Sequence, residues 1–396
     1  MPPIGGTEPS TKARARALDP MRVLQLGKYY YPFMGGIETH LYDLCVALSR
    51  SQNVEAVVCN TAPRTVREVV DGVSVTRVAT LGRAASTEIC PTLPLELSRR
   101  SYDVVHLHTP NPMGMLAYWL AEKPSRHALI VTHHSDVVRQ AGLRQSFEPI
   151  FRRVMARADA IIATSRRYLD TSKELRAFRE KCVVIPYGLR TECDQKAYPL
   201  TAGLRARYGD RVVLAVGRLI YYKGFDVLIE AMSVVRGSLL IVGDGPLRST
   251  LSQRVQALGL QERVTLVGEV HNQELGAYLA AADVFAFPSV ARSEAFGIAQ
   301  LEAMAAGLPV VNTALDSGVP DVSIDGETGI TVAPSDSHAL ANALELLLSS
   351  PALRRRYGDA GRHRVQTRFS WAHMSARIAG LYRDVLDRRE RAVEVV

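Results

Sequence analysis

The run Ser293–Gly307, SEAFGIAQLEAMAAG, carries Glu294 and Glu302 with seven residues between them. Gly297 stands at the start of an apparent helix, and Gly307 stands at its end as a C-terminal cap. Ile298, Leu301 and Met304 give that helix an inward face. Its first amides, around Gly297 and Ile298, have no intrahelical partners, and a glycine lets a phosphate approach them closely. Glu302 falls about one turn further in, and Glu294 falls in the preceding loop. Two carboxylates flanking an anion site suit the hydroxyls of a nucleotide sugar, whose ribose and hexose lie on either side of a diphosphate. A helix with a solvated glutamate at each position accounts for the spacing equally well.

A second segment, GRLIYYKG at 217–224, directly follows the apolar run VVLAV. Arg218 and Lys223 are cationic at neutral pH and together could neutralise a diphosphate, one as a fork and one as a point charge. A basic pair is more often plain surface, but this one falls in the loop that binds ligands in α/β folds. Gly35 and Gly36, in YPFMGGIETH, also sit between an apolar run and a helical pattern, where they expose backbone N–H groups. An ordinary tight turn explains them as well. The stretch THHSD at 132–136 brings His133, His134 and Asp136 into one loop. With no distant third ligand evident it is weak for zinc, and hydrogen bonding to a sugar suits it better. GDGP at 243–246 begins like a dinucleotide fingerprint, but Arg248 stands where the last glycine belongs, so no nicotinamide site is read there. Asn111, in the PNP turn, and His108 before it could line an acceptor pocket.

The elements that must position these loops alternate in type. Apolar runs at Met21–Gly27, Val54–Cys59, Val73–Val78, Val104–Leu107, Leu129–Thr132, Ala160–Ala163 and Val183–Ile185 read as buried strands, and Ile37–Arg50 has helical spacing. After a plausible linker at Tyr198–Gly209 the pattern restarts. Strands are expected at Val212–Val216, Ser238–Val242, Val264–Val267, Val284–Phe287, Val310–Val311 and Ile330–Val332, with helices at Phe225–Val235 and Leu247–Leu258. This predicts an α/β protein of two doubly wound, Rossmann-like parallel-sheet domains, with ligands beyond the carboxyl ends of the strands and in the cleft between the halves. The final segment, Trp371–Arg389, is an amphipathic helix with an apolar stripe at 371, 374, 378, 381, 382 and 385, and must pack on something.

Composition bounds the class. The chain has 396 residues, 47% hydrophobic and 22% charged, which excludes a disordered or collagen-like chain and favours two domains. No apolar run is long enough to span a membrane. Five scattered cysteines without a Cys-x-x-Cys pair read as reduced thiols of a cytosolic protein. Residues 1–20 lack a secretory core and read as a disordered extension. The net charge of +8 lies wholly in residues 1–200, with 27 Lys and Arg against 19 Asp and Glu. Residues 139–196 hold 13 against 7 and include Arg144, Arg152, Arg153 and Arg157 on one helical segment. A solvated surface explains this charge, as does docking on an anionic inner membrane leaflet. Basic residues without interleaved aromatics do not support nucleic-acid binding.

Five elements in this order, from about Met21 to Leu386, resemble the retaining family-4 glycosyltransferases of the two-domain GT-B fold, and among them the bacterial polysaccharide mannosyltransferases. They are the Gly-Gly-x-Glu loop (Gly35, Gly36, Glu38), His134–Asp136, Gly217–Gly224, the Gly243–Pro246 turn and the Glu294–Glu302 motif, and all but the turn match motifs of the family. IPYG at 185–188 departs from the family's more usual Pro-Asn-Gly at Tyr187. The resemblance implies an N-terminal acceptor-binding domain (21–198), a C-terminal nucleotide-sugar-binding domain (199–370) and a helix (371–396) crossing back onto the first. It implies that Arg218 and Lys223 hold the donor diphosphate with the amides of Gly297 and Ile298. Glu302 would bind ribose hydroxyls, Glu294 the donor sugar, and main chain near Val270 the base, with Phe296 and Gly36 also on the donor side. Arg218, Lys223, Glu294 and His134 would form the catalytic set, and His108, Asn111, His134 and Asp136 would face the acceptor. No cofactor or metal is required on this reading. GDP-mannose is favoured as donor over UDP-glucose, and a polyprenyl-diphosphate-linked saccharide as acceptor, on the cytoplasmic face of the membrane. An epimerase, a phosphorylase-like enzyme and a non-catalytic nucleotide-sugar-binding partner are the other classes considered. The phosphorylase lacks a pyridoxal-binding lysine motif, and a binding partner has no need of both glutamates and both cations.

Overall fold

The apolar runs form two sheets in a computed structural model that describes residues 20–33, 35–84, 87–121, 127–136, 141–190 and 199–394. The expected disordered extension therefore lies outside the described residues, apart from Pro20. By compactness the chain divides into two units. One comprises residues 1–131, 150–159 and 382–396, and the other comprises 132–149 and 160–381.

In the first sheet the strands are β1 (Arg22–Leu26), β2 (Asn53–Cys59), β3 (Val66–Val70), β4 (Val73–Val78), β7 (Val104–Thr109), β8 (Ala128–His133), β9 (Ala160–Ala163) and β10 (Cys182–Val184); a separate small hairpin holds β5 (Arg83–Ala84) and β6 (Thr87–Glu88). The order is β10-β9-β8-β7-β1-β2-β4-β3. Every strand pair recorded along β9–β10 and β7–β1–β2–β4 is parallel. Val23, Leu24, Leu26, Val104 and Leu107 are almost wholly buried, as strands covered on both faces require. Strand order reverses between β1 and β7, so the loops after these two strands, carrying Gly35–Gly36 and Asn111, share the switch point.

The second sheet holds β11 (Val212–Val216), β12 (Ser238–Val242), β13 (Val264–Gly268), β14 (Val284–Ala286), β15 (Val310–Thr313) and β16 (Gly329–Val332), in the order β13-β12-β11-β14-β15-β16. All its recorded pairings are parallel. Alternate residues of β11 serve opposite faces. Val213 and Ala215 pack with Leu228, Leu340 and Leu344, while Val212 and Leu214 pack with Leu301, Met304 and Val365. The order reverses between β11 and β14, and the crevice at their carboxyl ends is bordered by 217–224 and 287–297.

The structure departs from the expected elements in two places. The stretch read as a linker is a helix, Pro199–Tyr208. Pro199 occupies the first helical position, where its missing N–H costs nothing. Leu204 packs on Ala277 and Ala281, and Arg205 pairs with Asp283 at 2.8 Å. The hairpin β3–β4 adds a strand to those expected, and Asp71-Gly72 forms its turn. Both turn residues have positive φ, 47° and 82°, as a two-residue primed turn demands. The closing helix runs Trp371–Glu394, and all six residues of its apolar stripe are buried. Among the residues of the second unit, Gly188 N–H contacts Met374 Sδ at 3.1 Å. Within the first unit, Tyr382 receives a hydrogen bond from Gln25 (3.0 Å) and Arg389 pairs with Asp159 (2.8 Å). No helix of the described residues is long and apolar enough to cross a membrane.

Candidate active site

Lys223 and Glu294 meet at the β11–β14 crevice. Lys223 Nζ lies 2.6 Å from Glu294 Oε2, with the two side chains 13% and 12% exposed. The ammonium also sits 4.9 Å from the centre of the Phe287 ring, a cation–π contact. Ser289 Oγ donates to Glu294 at 3.3 Å, and the Tyr221 and Ser293 hydroxyls are 3.2 Å apart. Backbone joins the loops too, since Val290 N–H donates to Tyr222 O at 2.8 Å. Gly224 makes this approach possible. Its φ is 66°, and a Cβ there would lie 2.1 Å from Pro288 O. Arg218, by contrast, is exposed and its side chain makes no hydrogen bond or ion pair among the described residues. The crevice thus presents one cation fixed by a carboxylate and one held open.

Gly297 opens the helix Ile298–Ala306 with φ 87°, and Gly307 closes it with φ 83°. A Cβ on Gly297 would lie 2.7 Å from the Phe287 ring, so only glycine fits beneath that ring. Phe287 therefore lies against both the Lys223 ammonium and the glycine that caps the helix. Leu301 and Met304 face the core as expected, with Ile298 half-buried against the same cluster. Glu302 is half-buried one turn into this helix. Phe296 is buried and packs edge-on against Tyr187 and Phe369, so its side chain belongs to the core and its main chain to the loop. Val270 is half-buried in the loop after β13.

The loop after β8 is held by a polar network. Asp136 accepts from Tyr168 OH (2.9 Å), Ser172 Oγ and Arg292 Nη2 (3.2 Å). His133 Nε2 lies 3.2 Å from Glu174 and 3.5 Å from Asp136. Burial alone would raise the Asp136 pKa, yet hydrogen bonds from His133 and Ser172 bring it down to about 2. Burial would likewise lower His133, but Asp136 and Glu174 outweigh it and the pKa is raised. Glu174 joins His133 and Asp136 as a third candidate metal ligand, as ligand atoms of the three lie within 4.8 Å of one another. Asp136 already takes hydrogen bonds from two hydroxyls and a guanidinium, which describes a structural ion network more closely than a metal cradle. His134 is buried, and its Nδ1 is hydrogen-bonded to the Tyr187 hydroxyl.

In the first unit, Gly36 begins the helix Gly36–Leu48, with Glu38 in its first turn. Asn111 is buried and its Oδ1 accepts from Gly114 N–H at 3.0 Å, capping the helix Pro112–Ala121. His108 Nε2 is 2.8 Å from Gln25 Oε1, and Tyr382 OH is 2.6 Å from His106 Nδ1. Burial pushes His106 and His40 down to about 3, so both are neutral at ordinary pH. Sequence reasoning missed Ser289, Phe287, Glu174 and Arg292. Arg292 adjoins the Glu294 motif, but Glu174 lies 41 positions from His133 and has no spacing to signal it.

The family description "Glycosyl transferases group 1" matches residues 202–364, and "Glycosyltransferase Family 4" matches 34–192. O-antigen chain mannosyltransferase C of Escherichia coli is 31% identical over 372 residues, covering 93% of this chain and 99% of the relative. D-rhamnosyltransferase WbpZ of Pseudomonas aeruginosa is 35% identical over 343 residues, covering 84% and 87%. Sucrose-phosphate synthase from Thermosynechococcus elongatus superposes with a TM-score of 0.76 at 27% identity, over 92% of this chain and 99% of that one. With both sheets, the switch-point loops and these matches in hand, the chain belongs to family 4 of the glycosyltransferases and is a retaining transferase of the GT-B fold.

Proposed function

We propose that this glycosyltransferase moves mannose from GDP-mannose onto a lipid-linked saccharide, such as one carried on a polyprenyl diphosphate, with retained configuration. The carrying observation is the Lys223–Glu294 pair at the β11–β14 crevice, beside Arg218 and the Gly297 helix start. Mannose, and a saccharide chain as the setting, are favoured by the O-antigen chain mannosyltransferase among the relatives. On this reading, residues 199–370 bind the donor, residues 21–198 bind the acceptor, and the helix from 371 crosses back to the acceptor domain.

Lys223 has three N–H donors, and Glu294 takes one; the other two are available to diphosphate oxygens. Arg218 adds a fork from the open side. The amides at Gly297 and Ile298 complete the anion site, Glu302 binds the ribose hydroxyls and Val270 main chain meets the base. As the glycosidic C–O bond breaks, negative charge grows on the leaving phosphate, where these fixed donors stabilise it best. The acceptor hydroxyl attacks from the same face, and its proton passes to a leaving phosphate oxygen. His134 and Glu294 orient the donor sugar. Gly36 belongs to the donor set, and His108, Asn111 and Asp136 to the acceptor set, the last two through the loops they hold. Two cations in place supply the charge a metal would otherwise bring, so turnover is expected to survive chelation. The protein works at the cytoplasmic face of the membrane, docked through its basic surface.

Transfer of label from GDP-mannose, UDP-glucose and UDP-N-acetylglucosamine to a lipid extract, with and without chelator, tests this. Transfer from GDP-mannose alone, unchanged by chelator, is expected. Transfer from a UDP-sugar alone replaces mannose with that sugar. Binding with neither transfer nor hydrolysis brings the non-catalytic nucleotide-sugar-binding partner forward.

A further inference from the structure

Tyr187 stands in the segment where the sequence departs from its family, and its ring has two neighbours of consequence. The side chain is 7% exposed. Its hydroxyl is hydrogen-bonded to His134 Nδ1, and the two rings lie 5.6 Å apart at 28°. On another side Phe296 meets it edge-on, with ring centres 4.8 Å apart at 71°. Phe296 directly precedes Gly297, the first residue of the proposed phosphate-binding helix start. The backbone beneath Tyr187 is clamped as well, because a Cβ on Gly188 would lie 2.7 Å from Trp371 Cα. The ring is buried in the same hydrophobic cluster as Phe287, Phe296 and Phe369, and its hydroxyl is placed at His134 Nδ1.

A neutral imidazole has one N–H and one bare nitrogen, and the partner at one nitrogen decides which is which. A phenol in this position is the better proton donor of the two groups. We propose that Tyr187 is a positioning residue for His134: it donates to Nδ1, fixes the tautomer with its proton on Nε2, and ties the ring's orientation to the Phe296–Gly297 turn. An asparagine there offers a hydrogen bond but no ring to wedge between His134 and Phe296. The inference rests on the role of His134 toward the donor sugar in the proposed function.

The test has two arms on the full chain. In the first, ¹⁵N-histidine NMR is read for His134, with its signals assigned by their loss in His134→Gln. The wild type should show Nε2 protonated and Nδ1 bare, and Tyr187→Phe should move both signals toward a tautomer mixture. An Nδ1-protonated wild type, or an unchanged spectrum in Tyr187→Phe, overturns the proposal. In the second arm, Tyr187→Phe keeps the ring, so kcat should fall about tenfold while the donor KM stays within about twofold. In the His134→Gln background the same change should alter the residual kcat less than about twofold, the non-additivity expected when one residue acts through the other. Equal losses in both backgrounds assign Tyr187 a merely structural role and overturn the proposal. If the predicted tautomer is seen but no nucleotide sugar is turned over, the assignment to His134 stands and the proposed function fails.

Discussion

An ammonium held by one carboxylate keeps its charge and gains a fixed address. Lys223 sits between Glu294 and the Phe287 ring, whereas Arg218 extends into solvent. Their replacement should therefore differ in stability while agreeing in activity. Arg218→Ala and Lys223→Ala should each lower kcat/KM about 100-fold or more, the loss typical when a preorganised donor to a developing anion is removed. Arg218→Ala should leave thermal stability nearly unchanged. Lys223→Ala should also lower Tm, because Glu294 is left largely buried without its partner. Turnover near wild type in both variants would sink the site. The His133 network has its own signature. Its raised pKa means that protonated His133 stabilises the fold fully below about pH 6.5, with that contribution lost as pH rises through the folded-state value. Asp136, lowered to about 2, contributes above about pH 4 and loses that contribution as pH falls toward 2. Urea unfolding of wild type and His133→Gln should thus differ more at pH 5.5 than at pH 9. A gap that widens at pH 9 would contradict the ion network.

Two loops meet at the β11–β14 switch point because a glycine lets their backbones touch. Gly224→Ala must put a Cβ 2.1 Å from Pro288 O at φ 66°. Gly259 has φ 67° with nothing within 4 Å, so Gly259→Ala carries the backbone cost alone, about 1 kcal/mol. Gly224→Ala should lower Tm well beyond Gly259→Ala and abolish nucleotide binding; equal Tm losses would show that the loop contact does not matter. Much of this architecture was legible in the sequence. The apolar runs placed the strands of both sheets, apart from β3 and the small hairpin, and Gly297 and Gly307 bracketed their helix, because parallel strands and helix caps leave local patterns. The Pro199–Tyr208 helix was hidden because proline marks a break and also a helix start. The Lys223–Glu294 pair was not legible as a pair. The Asp136 partners Tyr168, Ser172 and Arg292 lie 32, 36 and 156 positions away, a separation that only the folded chain closes.

Charge is distributed unequally along the chain, +8 in residues 1–200 and zero thereafter. The helix Ala141–Arg157 exposes Arg152 and Arg153, while Arg157 turns inward to Asp159 at 3.0 Å. Attraction of such a surface to anionic lipid is screened by salt. Vesicle flotation should recover the protein with anionic but not neutral vesicles at low salt, and 0.5 M salt should release it. Equal recovery on both vesicle types, or none on either, would contradict membrane docking. The family places this chain among retaining transferases, and the identity of the donor decides what it makes. Thermal unfolding of wild type and Lys223→Ala with GDP, UDP and ADP tests it most directly. A ligand at 100 times its Kd stabilises a fold by about 2.7 kcal/mol, which a melting curve resolves readily. GDP should raise the wild-type Tm, UDP and ADP should not at the same concentration, and Lys223→Ala should lose the GDP shift. A shift with UDP or ADP and none with GDP, or a GDP shift undiminished in Lys223→Ala, would contradict the account.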